Sequence, residues 1–163
     1  MNTEQFSVRV GEAKIATGNQ VLVAIGLGSC VGLALYDPRA RVAGLAHIML
    51  PHPSNARQPT PPARFGSTAV DHLLELMAEH GAVRRRVFAR MVGGAAMFES
   101  VLNDDGQPTL GERNVEATRE ALKLAGLRLT GEAVGGNFGR TITLNARDGK
   151  LRITSVRRDD VIL

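Results

Sequence analysis

Cysteine is scarce in this sequence, because the chain of 163 residues contains only one. A single cysteine excludes an internal disulfide and a zinc site built on several thiolates. The four histidines, at positions 47, 52, 72 and 80, do not show the spacing of metal ligands either. The sequence therefore predicts no metal and no cofactor, and any sulfur chemistry depends on Cys30.

Aromatic residues are also few, with no tryptophan, five phenylalanines and one tyrosine. This composition supplies few rings on which nucleic-acid bases could stack. A net charge of +4 and a pI near 10 come with two arginine clusters, Arg84–Arg86 and Arg157–Arg158. Solvated strand ends explain such clusters more simply than a phosphate-binding face, so we predict no nucleic-acid partner. Docking on an acidic protein surface stays open.

Long hydrophobic runs are missing as well. The longest uncharged apolar stretch, Val21–Tyr36, is interrupted by glycines at 26, 28 and 32 and is shorter than the roughly 20 residues of a membrane helix. The first ten residues lack the basic and then apolar pattern of a secretory signal. We therefore predict no membrane insertion and a cytoplasmic location.

The residues that are present predict one packed domain spanning 1–163, since 44% of the chain is apolar. Helical patterns cover Ser67–His80, with Ser67 as the cap, and Asn114–Ala125. Strand patterns cover 21–25, 30–36, 41–50, 83–92, 127–134, 140–145 and 150–156, with an Asp-Gly turn before the last of them. This order predicts an α+β fold in which helices pack on a mainly antiparallel sheet.

Proline is concentrated in one segment, because residues 51–64 hold five of the seven prolines. Proline lacks an amide donor and fixes its φ angle, so this segment cannot continue a central strand. It is predicted to be a stiffened loop. Covering a site and serving as a flexible linker are equally open interpretations of it.

The strands around Asp37-Pro38 form a candidate hairpin. If Asp37–Ala40 is a four-residue loop, Cys30 lies directly opposite His47 and both side chains point to one face. A five-residue loop would put them on opposite faces. The pairing is therefore a conjecture that depends on the length of the loop.

A thiol beside an imidazole is a nucleophile beside a general base. An adjacent imidazolium would lower the pKa of the Cys30 thiol, and free N–H groups at the Gly28-Ser29 turn could hold an oxyanion. The alternatives are a buried, inert cysteine and a core histidine, and His52 is a competing base. The remaining histidines, on the first helix, are expected to be solvated.

Several motifs then follow one another in a recognisable order over about residues 20–156. They are GLGSCV from position 26, LYDP from 35, GLAHIMLP from 44, GGA from 93 with Met97 and Phe98, RNVEA from 113, and GG at 135 with Gly139 and Arg140. In these motifs the chain resembles the CheD family of chemoreceptor glutamine deamidases.

The resemblance implies a cysteine hydrolase that converts glutamine side chains to glutamate on the cytoplasmic helices of chemoreceptors, the methyl-accepting chemotaxis proteins. It implies a layered α/β sandwich related to the catalytic domains of deamidating toxins. By matching position, Cys30 would be the nucleophile and His47 the base. Asn137 and Arg140, in the glycine-rich segment, are candidates for substrate contact. The alternative is a non-catalytic partner and regulator of a CheC-type phosphatase that acts on phosphorylated CheY.

One position departs from the family pattern. The resemblance implies a threonine six residues before the cysteine as third catalytic member, and this sequence has Ala24 there. A catalytic imidazole still needs a fixed acceptor for its second ring nitrogen. We therefore predict that a backbone carbonyl, or another hydroxyl, accepts a hydrogen bond from His47.

Overall fold

The computed structural model describes residues 2–54, 60–97 and 106–163. Within these residues the strands form two five-stranded sheets. The strands are β1 (Gln5–Ser7), β2 (Ala13–Thr17), β3 (Val21–Leu27), β4 (Val31–Asp37), β5 (Val42–Ile48), β6 (Phe88–Gly93), β7 (Arg128–Val134), β8 (Arg140–Asn145), β9 (Leu151–Thr154) and β10 (Val161–Ile162). The helices are α1 (Gly66–Ala78) and α2 (Leu110–Leu124), with 3₁₀ turns at Pro62–Arg64 and Arg84–Arg86.

The two sheets and the helices make three layers. One sheet has the order β1-β3-β8-β9-β10, the other β2-β5-β4-β6-β7, and all pairs are antiparallel except β1 with β3 and β6 with β7. Residues of one parity on β4, such as Leu33, pack against the helices, and those of the other parity, such as Ala34, pack between the sheets. The predicted layered α+β sandwich with mainly antiparallel pairing is confirmed. None of the helices in the described ranges is long and apolar enough to cross a membrane.

Both helices begin differently from the sequence prediction. The N-cap of α1 is Phe65, not Ser67, because the N–H groups of Gly66 and Ser67 donate to the backbone carbonyls of Leu50 and Pro51. A side-chain cap is not needed where backbone carbonyls already satisfy the first turn. Helix α2 begins four residues earlier than predicted, at a capping box formed by Thr109 and Glu112.

The strand predicted from residue 83 begins only at Phe88. The preceding 3₁₀ turn is held by Asp37, whose carboxylate accepts from the Val83 N–H at 2.8 Å and from the Arg86 side chain. These contacts form only in the folded chain, so local sequence patterns do not reveal them. The first of the two arginine clusters is thereby tied to the hairpin.

The hairpin loop has the predicted length but begins one residue later. Asp37 is still paired, with Val42, and the loop runs over 38–41, where Arg41 adopts a left-handed φ of 54°. Asp37 keeps its place because its Oδ1 accepts from the N–H groups of Arg39 and Ala40, which closes an Asx-type turn.

Candidate active site

Cys30 lies in the turn between β3 and β4. The three turn residues, Gly28, Ser29 and Cys30, are half-buried, and the Cys30 side chain packs against the core between the sheets. A Cβ at position 28 would lie 2.9 Å from the Met97 Sδ, so Met97 packs closely over this glycine.

The turn is hydrogen-bonded to the segment that follows β6. Gly94 donates its N–H to the Cys30 carbonyl and Ala95 donates to the Gly28 carbonyl, both at 2.8 Å. Gly93 has a φ of 112° and its Cα abuts the Cys30 carbonyl, so a side chain cannot fit there. The GGA motif therefore positions the cysteine, a role that the sequence alone did not reveal.

The predicted direct opposition of Cys30 and His47 is wrong. His47 is paired with Gly32, and Cys30 precedes that residue by two, just outside β4. The cause is the one-residue displacement of the hairpin loop. Since the displacement moves the partner by two positions, the parity is kept: Cys30 packs against the core between the sheets, and strand alternation puts His47 on that same face.

His47 is held by a backbone carbonyl. Its Nδ1 lies 3.0 Å from the Val8 carbonyl oxygen, and its side chain is buried. A carbonyl can only accept, so Nδ1 carries the proton and Nε2 presents a lone pair. The Nε2 atom is buried and has no hydrogen-bond partner among the described residues. The predicted backbone acceptor is confirmed, and Ala24 itself is fully buried.

Burial keeps both groups neutral. It raises the pKa of the Cys30 thiol above its ordinary value and lowers the pKa of the His47 imidazole, although the Val8 carbonyl and the charge of Glu12 partly offset the second effect. The predicted lowering of the thiol pKa is therefore wrong. A thiolate–imidazolium pair in the resting protein would require both shifts to have the opposite sign.

The turn also presents unpaired backbone donors. In the described parts of the chain, no acceptor receives the N–H groups of Gly28, Ser29 or Cys30. Donors of this kind, aimed at a site where negative charge develops, stabilise an oxyanion. The site thus combines a neutral thiol, a neutral imidazole with a free lone pair, and backbone N–H groups.

A cleft of about 680 Å³ adjoins this turn through Met97 and Gly26. A β-bulge in β3 turns Ile25 outward, so that 67% of its surface is exposed beside the cleft. The other walls come from the 137–141 and 154–156 segments, whose side chains are apolar or small and polar apart from Arg140. Asn137 is exposed in this wall and can meet a ligand.

Arg140 lines the same cleft but is largely committed to the fold. It is 7% exposed, its Nη1 donates to the Gly135 carbonyl at 2.8 Å, and its guanidinium stacks on Phe138 at 4.2 Å. Arg158, from the second arginine cluster, stacks on the same ring at 3.7 Å. Of the two residues predicted to contact substrate, Asn137 has the freer side chain.

Among the described residues, no hydrogen bond joins the other three histidines to Cys30 or His47. His52 is exposed in the loop after β5, His72 is partly exposed on α1, and His80 is exposed with its Nδ1 bonded to the Leu76 carbonyl. Part of the proline-rich loop, 55–59, lies outside the described residues, as does Phe98 of the GGA-containing motif. That the proline-rich loop covers the site stays a prediction.

Asn114 was missed as a site residue. It is fully buried on α2, and its Nδ2 donates to the Ser29 carbonyl at 2.9 Å and to the Met49 carbonyl at 3.0 Å. The only sequence signal was its place in the RNVEA motif, which gives no indication of these partners.

Comparison with known proteins agrees with this architecture. A family model described as CheD chemotactic sensory transduction matches residues 49–155. A probable chemoreceptor glutamine deamidase CheD of Caldanaerobacter subterraneus is 42% identical over 156 residues, covering 96% of this chain and 96% of that protein. A protein of the same name from Archaeoglobus fulgidus is 42% identical, and the alignment covers 91% of this chain and 92% of that protein. A probable chemoreceptor glutamine deamidase CheD 2 of Geobacter metallireducens is 41% identical, and the alignment covers 94% of each chain.

The chain therefore belongs to the CheD family. The matched region of the family model begins after Cys30 and His47, whereas the alignments with the relatives cover nearly the whole chain. A solved structure of a Neisseria meningitidis DUF152 protein is similar over 82% of this chain and 63% of that one, with 11% identity and a TM-score of 0.48. The predicted kinship with toxin domains and the predicted CheC-type partner stay predictions.

Proposed function

We propose that this chain hydrolyses the side-chain amide of specific glutamines on chemoreceptor cytoplasmic helices, with Cys30 as nucleophile and His47 as general base. The carrying observation is the buried Nε2 of His47, which has a free lone pair on the face of the sheet to which the half-buried Cys30 also belongs. The names of the relatives supply the substrate class.

The first half of the reaction forms a thioester. As the Cys30 Sγ attacks the glutamine Cδ, His47 Nε2 accepts the thiol proton, and the backbone N–H groups of Ser29 and Cys30 donate to the oxyanion. When the C–N bond breaks, His47 returns that proton to the nitrogen, which leaves as ammonia. Because both groups are neutral at rest, the reaction begins with transfer of the thiol proton to His47.

The second half releases the acid. His47 Nε2 takes a proton from water as the water oxygen attacks the thioester carbonyl, and the same N–H groups hold the second oxyanion. The C–S bond then breaks, His47 returns the proton to sulfur, and glutamate remains on the receptor. These two steps require no cofactor and return Cys30 and His47 to their starting protonation states.

The cleft beside the turn gives the receptor helix a place to bind. Ile25, Met97 and Val156 expose 67%, 42% and 85% of their surfaces around it, an apolar grouping that suits one face of an amphipathic helix. Asn137 in the wall can hydrogen-bond a polar side chain next to the target glutamine. A substrate on the cytoplasmic part of a receptor implies that this chain acts in the cytoplasm.

Mass spectrometry of a receptor cytoplasmic fragment tests the proposal. The fragment is incubated with the protein or with Cys30→Ala, and its peptides are searched for the mass increase that accompanies conversion of an amide to an acid. We expect conversion at defined glutamines with the native protein and none above the spontaneous background with the variant. Equal conversion with both would exclude Cys30 as nucleophile, and no conversion with either would favour the regulatory role over the enzymatic one.

A further inference from the structure

Three consecutive carbonyls of the cysteine turn are held by donors from two separate segments. Those of Gly28 and Cys30 accept from the backbone after β6, and the one between them, on Ser29, accepts from the Asn114 side chain at 2.9 Å. The described chain contains no cis peptide. In a trans peptide the C=O and the N–H point in opposite directions. Fixing each carbonyl on one side therefore fixes the following N–H on the other.

The bond from Asn114 acts on one particular peptide. The Ser29 carbonyl and the Cys30 N–H belong to the same planar unit, so holding the carbonyl sets the direction of that N–H. This N–H has no acceptor among the described residues and is the donor nearest to the nucleophile along the chain. An oxyanion donor contributes most when its orientation is set before the reaction.

The same amide group also reaches the residue that directly follows β5, the strand that carries the base. Asn114 Nδ2 donates at 3.0 Å to the carbonyl of Met49, which follows His47 by two residues. Since both partners are carbonyls, the NH₂ end of the amide must face them. The Oδ1 end is buried with no hydrogen-bond partner in the described residues. One side chain on α2 thus ties the turn with the thiol to the strand with the imidazole.

We infer that Asn114 is a positioning residue that orients the Cys30 N–H toward the oxyanion and holds the turn at a fixed distance from the His47 strand. This inference rests on the proposed function. It assigns to Asn114 no contact with substrate. Its effect is on the transition state, where the oxyanion exists, rather than on binding of the receptor helix.

Asn114→Asp is the sharpest variant, because it keeps the shape and removes the donor. We expect kcat for receptor deamidation to fall at least tenfold, toward the roughly 10²–10³-fold lost with an oxyanion donor, while KM stays within about threefold. Asn114→Ala serves if the aspartate variant does not fold. Thr118→Val is the matched control. Thr118 is buried one turn further along α2, and its Oγ1 donates to the backbone carbonyl of Asn114 at 2.8 Å. The kcat of this variant should stay within about threefold of the native value.

The backbone amide resonance of Cys30 gives a readout that needs no turnover. In Asn114→Asp or Asn114→Ala it should shift or broaden, whereas in Thr118→Val it should stay in place. An unchanged resonance, a kcat within threefold of native in a folded Asn114 variant, or an equal loss in Thr118→Val would overturn the inference. If the native protein itself converts no glutamine, the proposed function fails, and the resonance still decides whether Asn114 holds this peptide.

Discussion

Strand β4 has two very different ends. At its C-terminal end the fully buried Asp37 accepts from the N–H groups of Arg39, Ala40 and Val83 and from the Arg86 guanidinium, at 2.8 to 3.1 Å. At its N-terminal end the Cys30 turn offers N–H groups without described acceptors, and the buried Nε2 of His47 also has none.

The two ends differ in whether their polar groups are already hydrogen-bonded within the fold or remain available to a ligand. A buried polar atom without a partner costs about 1–3 kcal/mol, so the fold itself gains nothing from leaving His47 Nε2 unpaired. The Asp37 end shows that this chain can satisfy a buried charge completely. Under the proposed function, a bound substrate would complete the hydrogen bonds of His47 Nε2 and of the turn N–H groups.

Removal of the base should have the largest effect. In His47→Asn the amide can still donate to the Val8 carbonyl, but no lone pair of suitable basicity faces the thiol. We expect deamidation to slow by about 10²–10⁴-fold, the usual contribution of general acid–base catalysis. His52→Ala, which removes the exposed histidine of the loop, is the control and should stay within about twofold in the same mass-spectrometric assay. A larger loss in His52→Ala than in His47→Asn would reverse the assignment of the base.

Substitution of Asp37, at the C-terminal end of β4, should lower the free energy of unfolding and leave the rate of deamidation unchanged. Burial alone would raise the pKa of Asp37, but the Arg86 guanidinium and three backbone N–H groups outweigh it and hold that pKa at about 2, against an ordinary 3.8. Asp37→Asn should cost about 3 kcal/mol in the free energy of unfolding by urea, since it leaves a partly buried guanidinium unpaired. Asp160→Asn breaks the exposed pair with Arg152 and should cost less than about 1 kcal/mol.

The depressed pKa of Asp37 also predicts how stability depends on pH. The folded protein binds this proton less tightly than the unfolded chain does, so the contribution is fully present above pH 3.8 and is lost as the pH falls toward 2. It amounts to about 2 kcal/mol. Urea unfolding of the native protein and Asp37→Asn across this range should give curves that converge at low pH, and parallel curves would contradict the ion pair.

The reactivity of the thiol should show the neutral resting state. Because burial raises the Cys30 pKa above its ordinary value of 9.0, alkylation by iodoacetamide should have its pH midpoint above that value. Deamidation should lose rate on the acid side only below the ordinary histidine value of 6.5, where the depressed His47 pKa allows protonation. An alkylation midpoint near neutrality would instead indicate a thiolate–imidazolium pair.

Restoring the family threonine should have the smallest effect on rate. The Val8 carbonyl already accepts from His47 Nδ1, so a hydroxyl at position 24 adds no missing acceptor. We expect Ala24→Thr to change the deamidation rate by less than about tenfold, or about 1.4 kcal/mol of barrier. Ala24→Val, with the same shape and no hydroxyl, separates this effect from the overpacking of a fully buried position. A hundredfold gain in the threonine variant alone would show that the native imidazole is poorly held.

Periodicity predicted most of the fold. The strands at 21–27, 31–37, 42–48, 128–134 and 140–145 and both helices were predicted within a few residues, because each has a strong apolar pattern. The short strands β1, β2 and β10 were missed, since two to five residues carry too little pattern. The division of the strands into two sheets depends on contacts between distant parts of the chain, which no local pattern contains.

The candidate site was predictable in its residues but not in its geometry. The motifs identified Cys30 and His47, and the need of an imidazole for an acceptor predicted the bond now seen to Val8. The register was wrong because Asp37 stays paired and shifts the loop by one residue. The thiol pKa was predicted in the wrong direction because burial of Cys30, which the sequence does not give, raises it.

The two ends of β4 are compared most directly by measuring unfolding free energy and receptor deamidation on the same preparations of the native protein, Cys30→Ala and Asp37→Asn. Cys30→Ala should lose all enzymatic conversion and stay within about 1 kcal/mol of native stability, since a half-buried thiol makes a small contribution to the core. Asp37→Asn should lose about 3 kcal/mol and, where it is folded, keep its rate within about threefold. Persistent conversion by Cys30→Ala, or a loss of rate in folded Asp37→Asn comparable to that in Cys30→Ala, would contradict the division of the strand into a structural end and a chemical end.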